Sequence, residues 1–116
     1  MGKNHVLLIT SNCLGQGEAA LGQKLIQGFL YTILEAPDTE LPSNIIFINK
    51  GIELATINND AVEILKEIEN RGVTISTCGT CLNFYQLEDK LKVGEIGNMR
   101  DTQNLLSQAD KVITIN

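Results

Sequence analysis

Val73-Thr74-Ile75-Ser76-Thr77, running straight into Cys78-Gly79-Thr80-Cys81, decides the fold, because a β-branched apolar run passes without a linker into the helix-like segment Leu82 to Leu91. This is the joint of a βα unit. Repeated βα units with short links build a parallel sheet covered by helices on both faces. The joint also carries a chemistry: a thiol at a helix start meets unpaired backbone N–H groups and the positive end of the helix dipole, and both favour the thiolate.

The same alternation runs outward in both directions. His5 to Thr10 is an apolar run suited to a strand buried on both faces, and the loop Ser11-Asn12-Cys13-Leu14-Gly15-Gln16-Gly17 follows it. Leu21, Leu25, Phe29 and Ile33 then recur at helical spacing, so a helix of about five turns is expected to end near Glu35, ahead of Pro37. Asn44 to Asn49 reads as a second strand and Gly51 to Asn59 as irregular chain. A helix capped at Asn59-Asp60, with Val62, Leu65 and Ile68 on its inner face, stops at Arg71-Gly72. Beyond the cysteines come a short helix over Cys81 to Leu91, a brief strand within Lys92 to Gly97, a helix over Met99 to Gln108 and a last strand over Val112 to Ile115. In such a sheet ligands bind beyond the carboxyl ends of the strands, so the Ser11 loop, the Asn49-Lys50-Gly51 turn and the two cysteines are expected to open on one side.

Composition narrows the class. The chain has 116 residues, enough for one core, and its 14 acidic against 9 basic side chains leave a net charge of −5. No basic cluster appears, which disfavours nucleic acid as a partner. The apolar runs are too short to cross a bilayer, and Met1-Gly2-Lys3-Asn4-His5-Val6 does not continue into a secretory leader. With 3 cysteines and no leader, the expectation is reduced thiols in the cytoplasm.

The Cys-x-x-Cys spacing fits three chemistries. A structural zinc needs two further ligands, and only Cys13 and His5 remain, neither in a second pair; no metal is expected. A thioredoxin-like dithiol fits the spacing, but Pro37 and Pro42 both precede the motif, so neither can supply the cis-proline that such folds set against it. The third is one nucleophilic cysteine that carries sulfur as a persulfide, with the other auxiliary. Against all three stands the plain alternative that both cysteines fill a core.

Three segments carry a resemblance. Asn49-Lys50-Gly51-Ile52-Glu53-Leu54-Ala55, Ser76-Thr77-Cys78-Gly79-Thr80-Cys81-Leu82, and Leu91-Lys92-Val93-Gly94-Glu95-Ile96-Gly97-Asn98-Met99 resemble the DsrE-like domain of the YedF proteins, with Gly15-Gln16-Gly17-Glu18 and Leu21-Gly22 adding to the match. The resemblance runs from about Val6 to the C-terminus. It implies a single DsrE-like domain over residues 1–116, a three-layer α/β/α sandwich on a mainly parallel five-stranded sheet, and no cofactor. It implies a sulfur or selenium carrier, with Cys78 at the sulfur-accepting position and Cys81 as its second thiol. Proteins of this kind commonly carry an N-terminal TusA-like domain, so here the donor and acceptor are expected to be other polypeptides, such as a TusA-like protein or a cysteine desulfurase. Assembly with further copies of itself is left open. Thr56-Ile57-Asn58-Asn59-Asp60 replaces the Gly-Ser turn found in relatives, which alters one loop beside the site.

On that reading a Cys78 thiolate takes the outer sulfur of a donor persulfide and is the most reactive of the thiols. Gly79 permits close backbone approach, Thr80 offers a hydroxyl, and Lys50 beside Asn49 favours an anion. Cys13 and Asn98 are candidate bordering residues, although a helix cap equally explains Asn98. Leu14, Leu82 and Phe84 are expected to form an apolar rim for a docking protein. A redox-responsive ligand-binding or regulatory module, or a dithiol oxidoreductase, is the alternative function. Gly15-Gln16-Gly17-Glu18-Ala19-Ala20 matches a dinucleotide-binding pattern, but Glu18 sits where a pyrophosphate would dock and no acidic residue closes the second strand.

Overall fold

In the computed structural model, which describes residues 4–116, the apolar runs form the strands β1 (His5–Ile9), β2 (Asn44–Phe47), β3 (Thr74–Cys78), β4 (Glu95–Gly97) and β5 (Lys111–Ile115). Residues Met1 to Lys3, where the reading against a leader begins, lie outside the described residues. All five strands are parallel, in the order β4-β3-β2-β1-β5. Register aligns Ile9 with Phe47 and Phe47 with Thr77, so the first three strands finish side by side.

The helices α1 (Ala19–Leu34) and α2 (Asn59–Asn70) pack together on one face of the sheet. Leu7, Ile9, Ile45, Phe47 and Ile75 project from that face into one core with Ile26, Leu30, Leu65 and Ile68. The short helix α3 (Gly79–Phe84) joins the same layer through Leu82, which is fully buried. α4 (Met99–Gln108) lies on the opposite face, where a cleft of about 300 Å³ separates Asp101 and Thr102 from Asn44, Thr74 and Ser76. The sandwich is therefore three-layered, and its second face is the more polar one.

Four details depart from the sequence reading. The buried stripe of α1 is Gly22, Ile26, Leu30 and Ile33, while Leu21 and Leu25 are exposed, because Gly22 lies against Cys13 so closely that a Cβ there would sit 2.7 Å from the cysteine Cβ. The cap of α2 is Asn58, whose side chain accepts from the Ala61 amide. The helix after the cysteines ends at Phe84, turns through Gln86 at φ +58°, and gives way to a short 3-10 turn at Glu88–Lys90. Asn49–Ala55 is a 3-10 helix with Ile52, Leu54 and Ala55 buried, not irregular chain. His5 opens β1, and burial, followed by the Lys111 ammonium, holds its imidazole below the usual range.

Gly51 fixes where that 3-10 segment sits. Its amide donates to the Ile48 carbonyl, and a Cβ on it would lie 2.3 Å from the Ile9 carbonyl oxygen. Ile9 itself accepts from the Ile48 amide, so its carbonyl cannot easily withdraw. Gly51→Ala is therefore expected to destabilise the fold by about 1–3 kcal/mol, the usual cost of overpacking. Urea denaturation measures it; an unchanged midpoint would show that the segment does not press on β1.

Candidate functional site

β3 and β4 lie side by side, with Cys78 paired to Gly97, and their continuations leave the sheet on opposite faces: α3 toward the α1–α2 layer and α4 toward the other. Adjacent strands that part in this way open the crevice where parallel α/β sheets bind ligands. Cys78 ends β3 and is the N-cap residue of α3, and Cys81 follows within the first turn.

The two thiols are unequally placed. Cys78 is 5% exposed, whereas Cys81 is half-buried. Strand-end position singled out Cys78 as the most reactive thiol; in the structure it is the more covered of the two. The Cys81 sulfur accepts a hydrogen bond from the Asn49 amide at 3.1 Å. Burial pushes the Cys81 thiol above its usual range; the Asn49 amide pulls it back, and the adjacent Cys78 thiol raises it further.

Asn49 brings β2 into the site. It adopts φ +52°, a left-handed conformation that asparagine tolerates better than most residues, and this turns the chain from β2 into the 3-10 segment. Its side-chain Oδ1 accepts from the Lys50 amide at 2.9 Å and from the Tyr85 hydroxyl at 3.3 Å. Lys50 extends its ammonium to within 5.5 Å of the Tyr85 ring centre and 3.5 Å of Glu53 Oε2. Glu53 in turn accepts from the Asn12 side chain at 2.9 Å, linking the loop after β1. The ends of β1, β2 and β3 are thus joined by one polar chain that reaches Cys81.

Asn49, Lys50, Cys78, Gly79 and Cys81, all singled out in the sequence, meet here. Gly79 lies against β4, where a Cβ would sit 3.1 Å from Ile96 Cγ2, and Thr80 is exposed at the start of α3. Asn98 caps α4 by accepting from the Asp101 amide at 2.8 Å, and it lines the cleft on the second face beside Ser76 and Gly97. Cys13 is held elsewhere: its thiol points to the Ala19 carbonyl at 3.6 Å, against Gly22 of α1. Of the expected apolar rim, Leu82 belongs to the core, because its position in α3 turns it inward, and Leu14 packs partly against that core. Phe84 is 78% exposed, with Ile96 and Met99 also exposed on the β4 side of the crevice.

Asn12, Glu53 and Tyr85 were missed. Tyr85 stands four residues after Cys81 and Glu53 three after Lys50, spacings that put side chains on one helical face. No sequence signal marked Asn12. The described residues contain no group of three or more His, Cys, Asp or Glu side chains able to hold a metal, and no helix among them is long and apolar enough to cross a membrane.

The sequence pattern of the DsrE/DsrF-like family matches residues 27–115, which takes in both cysteines, Asn49 and Tyr85. No curated protein matches the chain. Among solved structures, the ychN protein from E. coli superposes with a TM-score of 0.66 at 17% identity, covering 97% of this chain and 99% of that one. A conserved protein of unknown function from Bacteroides thetaiotaomicron gives a TM-score of 0.67 at 13% identity, with 97% and 95% covered. At these identities the likeness is one of fold.

The raised Cys81 thiol makes a pH prediction. Cys81 should react with iodoacetamide only above the range of an ordinary thiol, and Cys78→Ala, by removing a neighbour that raises it, should move its labelling midpoint down. Peptide mapping across pH reads both. A midpoint unchanged by Cys78→Ala would mean that the two thiols do not interact.

Proposed function

This chain belongs to the DsrE/DsrF-like family, which is generally associated with sulfur relay, and we propose that it is a carrier of sulfane sulfur using the Cys78–Cys81 pair. The observation that carries this reading is the placement of two neighbouring thiols where β3 passes into α3, with a backbone N–H donor on one of them. A thiolate is the competent nucleophile, and no metal is needed. The Cys78 thiolate attacks the outer sulfur of a donor persulfide, the donor's S–S bond breaks, the donor leaves as a thiolate, and Cys78 retains the sulfur as a persulfide. Attack by an acceptor thiolate on that outer sulfur passes it on and restores Cys78.

Within the family we assign the chain to the YedF type, on Cys78-Gly79-Thr80-Cys81 and the Gly97-Asn98-Met99 segment, with selenium as the alternative cargo. The donor in this reading is a protein that presents its persulfide at the strand end where Cys78 lies. A cysteine desulfurase or a TusA-like protein would fill this role in the reducing cytoplasm, docking near the exposed Phe84.

A second reading rests on the proximity of the thiols. Cys78 and Cys81 could close a disulfide under an oxidant, giving up two electrons and two protons, which would make the module redox-responsive.

Incubation with a cysteine desulfurase and cysteine, followed by mass mapping, separates the two. Wild-type protein should gain one sulfur atom. Cys78→Ser should lose loading at least tenfold, since a serine hydroxyl falls far short of a thiolate as a nucleophile, and Cys81→Ser should load but release sulfur at an altered rate. Full loading of Cys78→Ser would overturn the assignment; a reversible internal disulfide with no added sulfur would favour the redox reading.

A further inference from the structure

Among the described residues, the backbone donor to the Cys81 sulfur lies on a different element. The Asn49 amide reaches its sulfur at 3.1 Å from the end of β2, while Asn49 is held in a left-handed conformation by ties of its own. One tie is local, from the Lys50 amide to Oδ1. The other returns to the helix that carries the thiol: the Tyr85 hydroxyl donates to the same Oδ1 at 3.3 Å. Tyr85 lies one turn beyond Cys81, at the C-cap of α3, so sulfur, amide, side-chain carbonyl and phenol close a loop between α3 and the 3-10 segment that follows β2. The half-buried phenol ring is itself braced by Phe84 edge-to-face at 5.1 Å, with the Lys50 ammonium over it.

We infer that Tyr85 is a positioning residue: by holding Asn49 from the far side, it keeps the Asn49 N–H on the Cys81 sulfur and so governs how readily that thiol ionises. An N–H aimed at sulfur stabilises the thiolate more than the thiol, and its effect depends on distance and direction. A free Asn49 side chain would leave the turn to the Lys50 tie alone. The other titratable groups on the elements packed around Cys81 are Cys78 at the end of β3, Lys50 and Glu53 of the 3-10 segment, and Glu88, Asp89 and Lys90 of the 3-10 turn beyond α3. Lys50 and Glu53 pair with each other, and Glu88 accepts from the Asn83 side chain at 2.7 Å. Tyr85 thus links Cys81 to the strand ends without touching the sulfur itself.

Iodoacetamide labelling of Cys81 as a function of pH tests this, in a Cys78→Ala background that removes the neighbouring thiol. The assignment shares with the carrier reading only the membership of Cys81 in the reactive pair. The assay needs no sulfur donor, so an unchanged profile and a failure of persulfide loading are separate results. Tyr85→Phe, which keeps the ring and loses the hydroxyl, should raise the labelling midpoint by about half a pH unit, or about threefold slower labelling below it. Labelling of Cys13, which is held against α1, should not change; a merely loosened fold would speed both. Should Tyr85→Phe fail to fold, Asn49→Gly decides in its place, because glycine keeps the turn and the N–H while deleting Oδ1. A Cys81 profile that superposes on that of the background protein overturns the inference.

Discussion

Gly51 has no side chain because the Ile9 carbonyl occupies the space that one would need. This contact between the end of β1 and the segment leaving β2 fixes the height at which the 3-10 helix Asn49–Ala55 crosses the strand ends. From that height the Asn49 amide meets the Cys81 sulfur, Lys50 reaches Glu53 and the Tyr85 ring, and Glu53 reaches Asn12. The buried side of the same segment, Ile52, Leu54 and Ala55, joins the core shared with α1 and α2. Core packing and site geometry are therefore set by one piece of chain, and a disturbance to one reaches the other.

The topology supplies the second half of the site. Chain order runs outward through β1, β2, β3 and β4, then crosses back over the opposite face to place β5 beside β1. Only between β3 and β4 do the outgoing segments part, and there Cys78 faces Gly97 across the ladder. The covered thiol at the strand end and the half-exposed thiol one turn later divide two demands between two residues. On the proposed carrier reading, a sulfur atom stored at Cys78 would be shielded, while Cys81 meets solvent and the Asn49 donor.

Much of this was legible in the sequence. Continuous β-branched runs located the strands, and Asn98 and Gly72 marked helix ends through capping and a left-handed turn at φ +96°. That Cys78, Cys81, Asn49 and Lys50 lie together could be read because their loops all follow strands of a parallel sheet. What escaped was tertiary. Leu21 and Leu25 look like the inner face of a helix, but the packing of Gly22 on Cys13 rotates that face by one position. The left-handed turn at Gln86, which ends α3 early, falls on a residue that does not advertise it. Tyr85, Glu53 and Asn12 matter through partners distant in sequence, a relation that no single segment encodes.

The central claim is that sulfur is held on the Cys78–Cys81 pair where β3 passes into α3, beside the Asn49 amide. ¹H–¹⁵N correlation spectra of the uniformly labelled protein, before and after loading by a cysteine desulfurase with cysteine, test it most directly. An added sulfur atom at the pair should displace the Asn49, Gly79 and Cys81 amide signals while leaving Gly22, beside Cys13, in place. Loaded protein whose Asn49 and Gly79 signals stay fixed, with shifts gathered around Gly22 instead, would contradict the account.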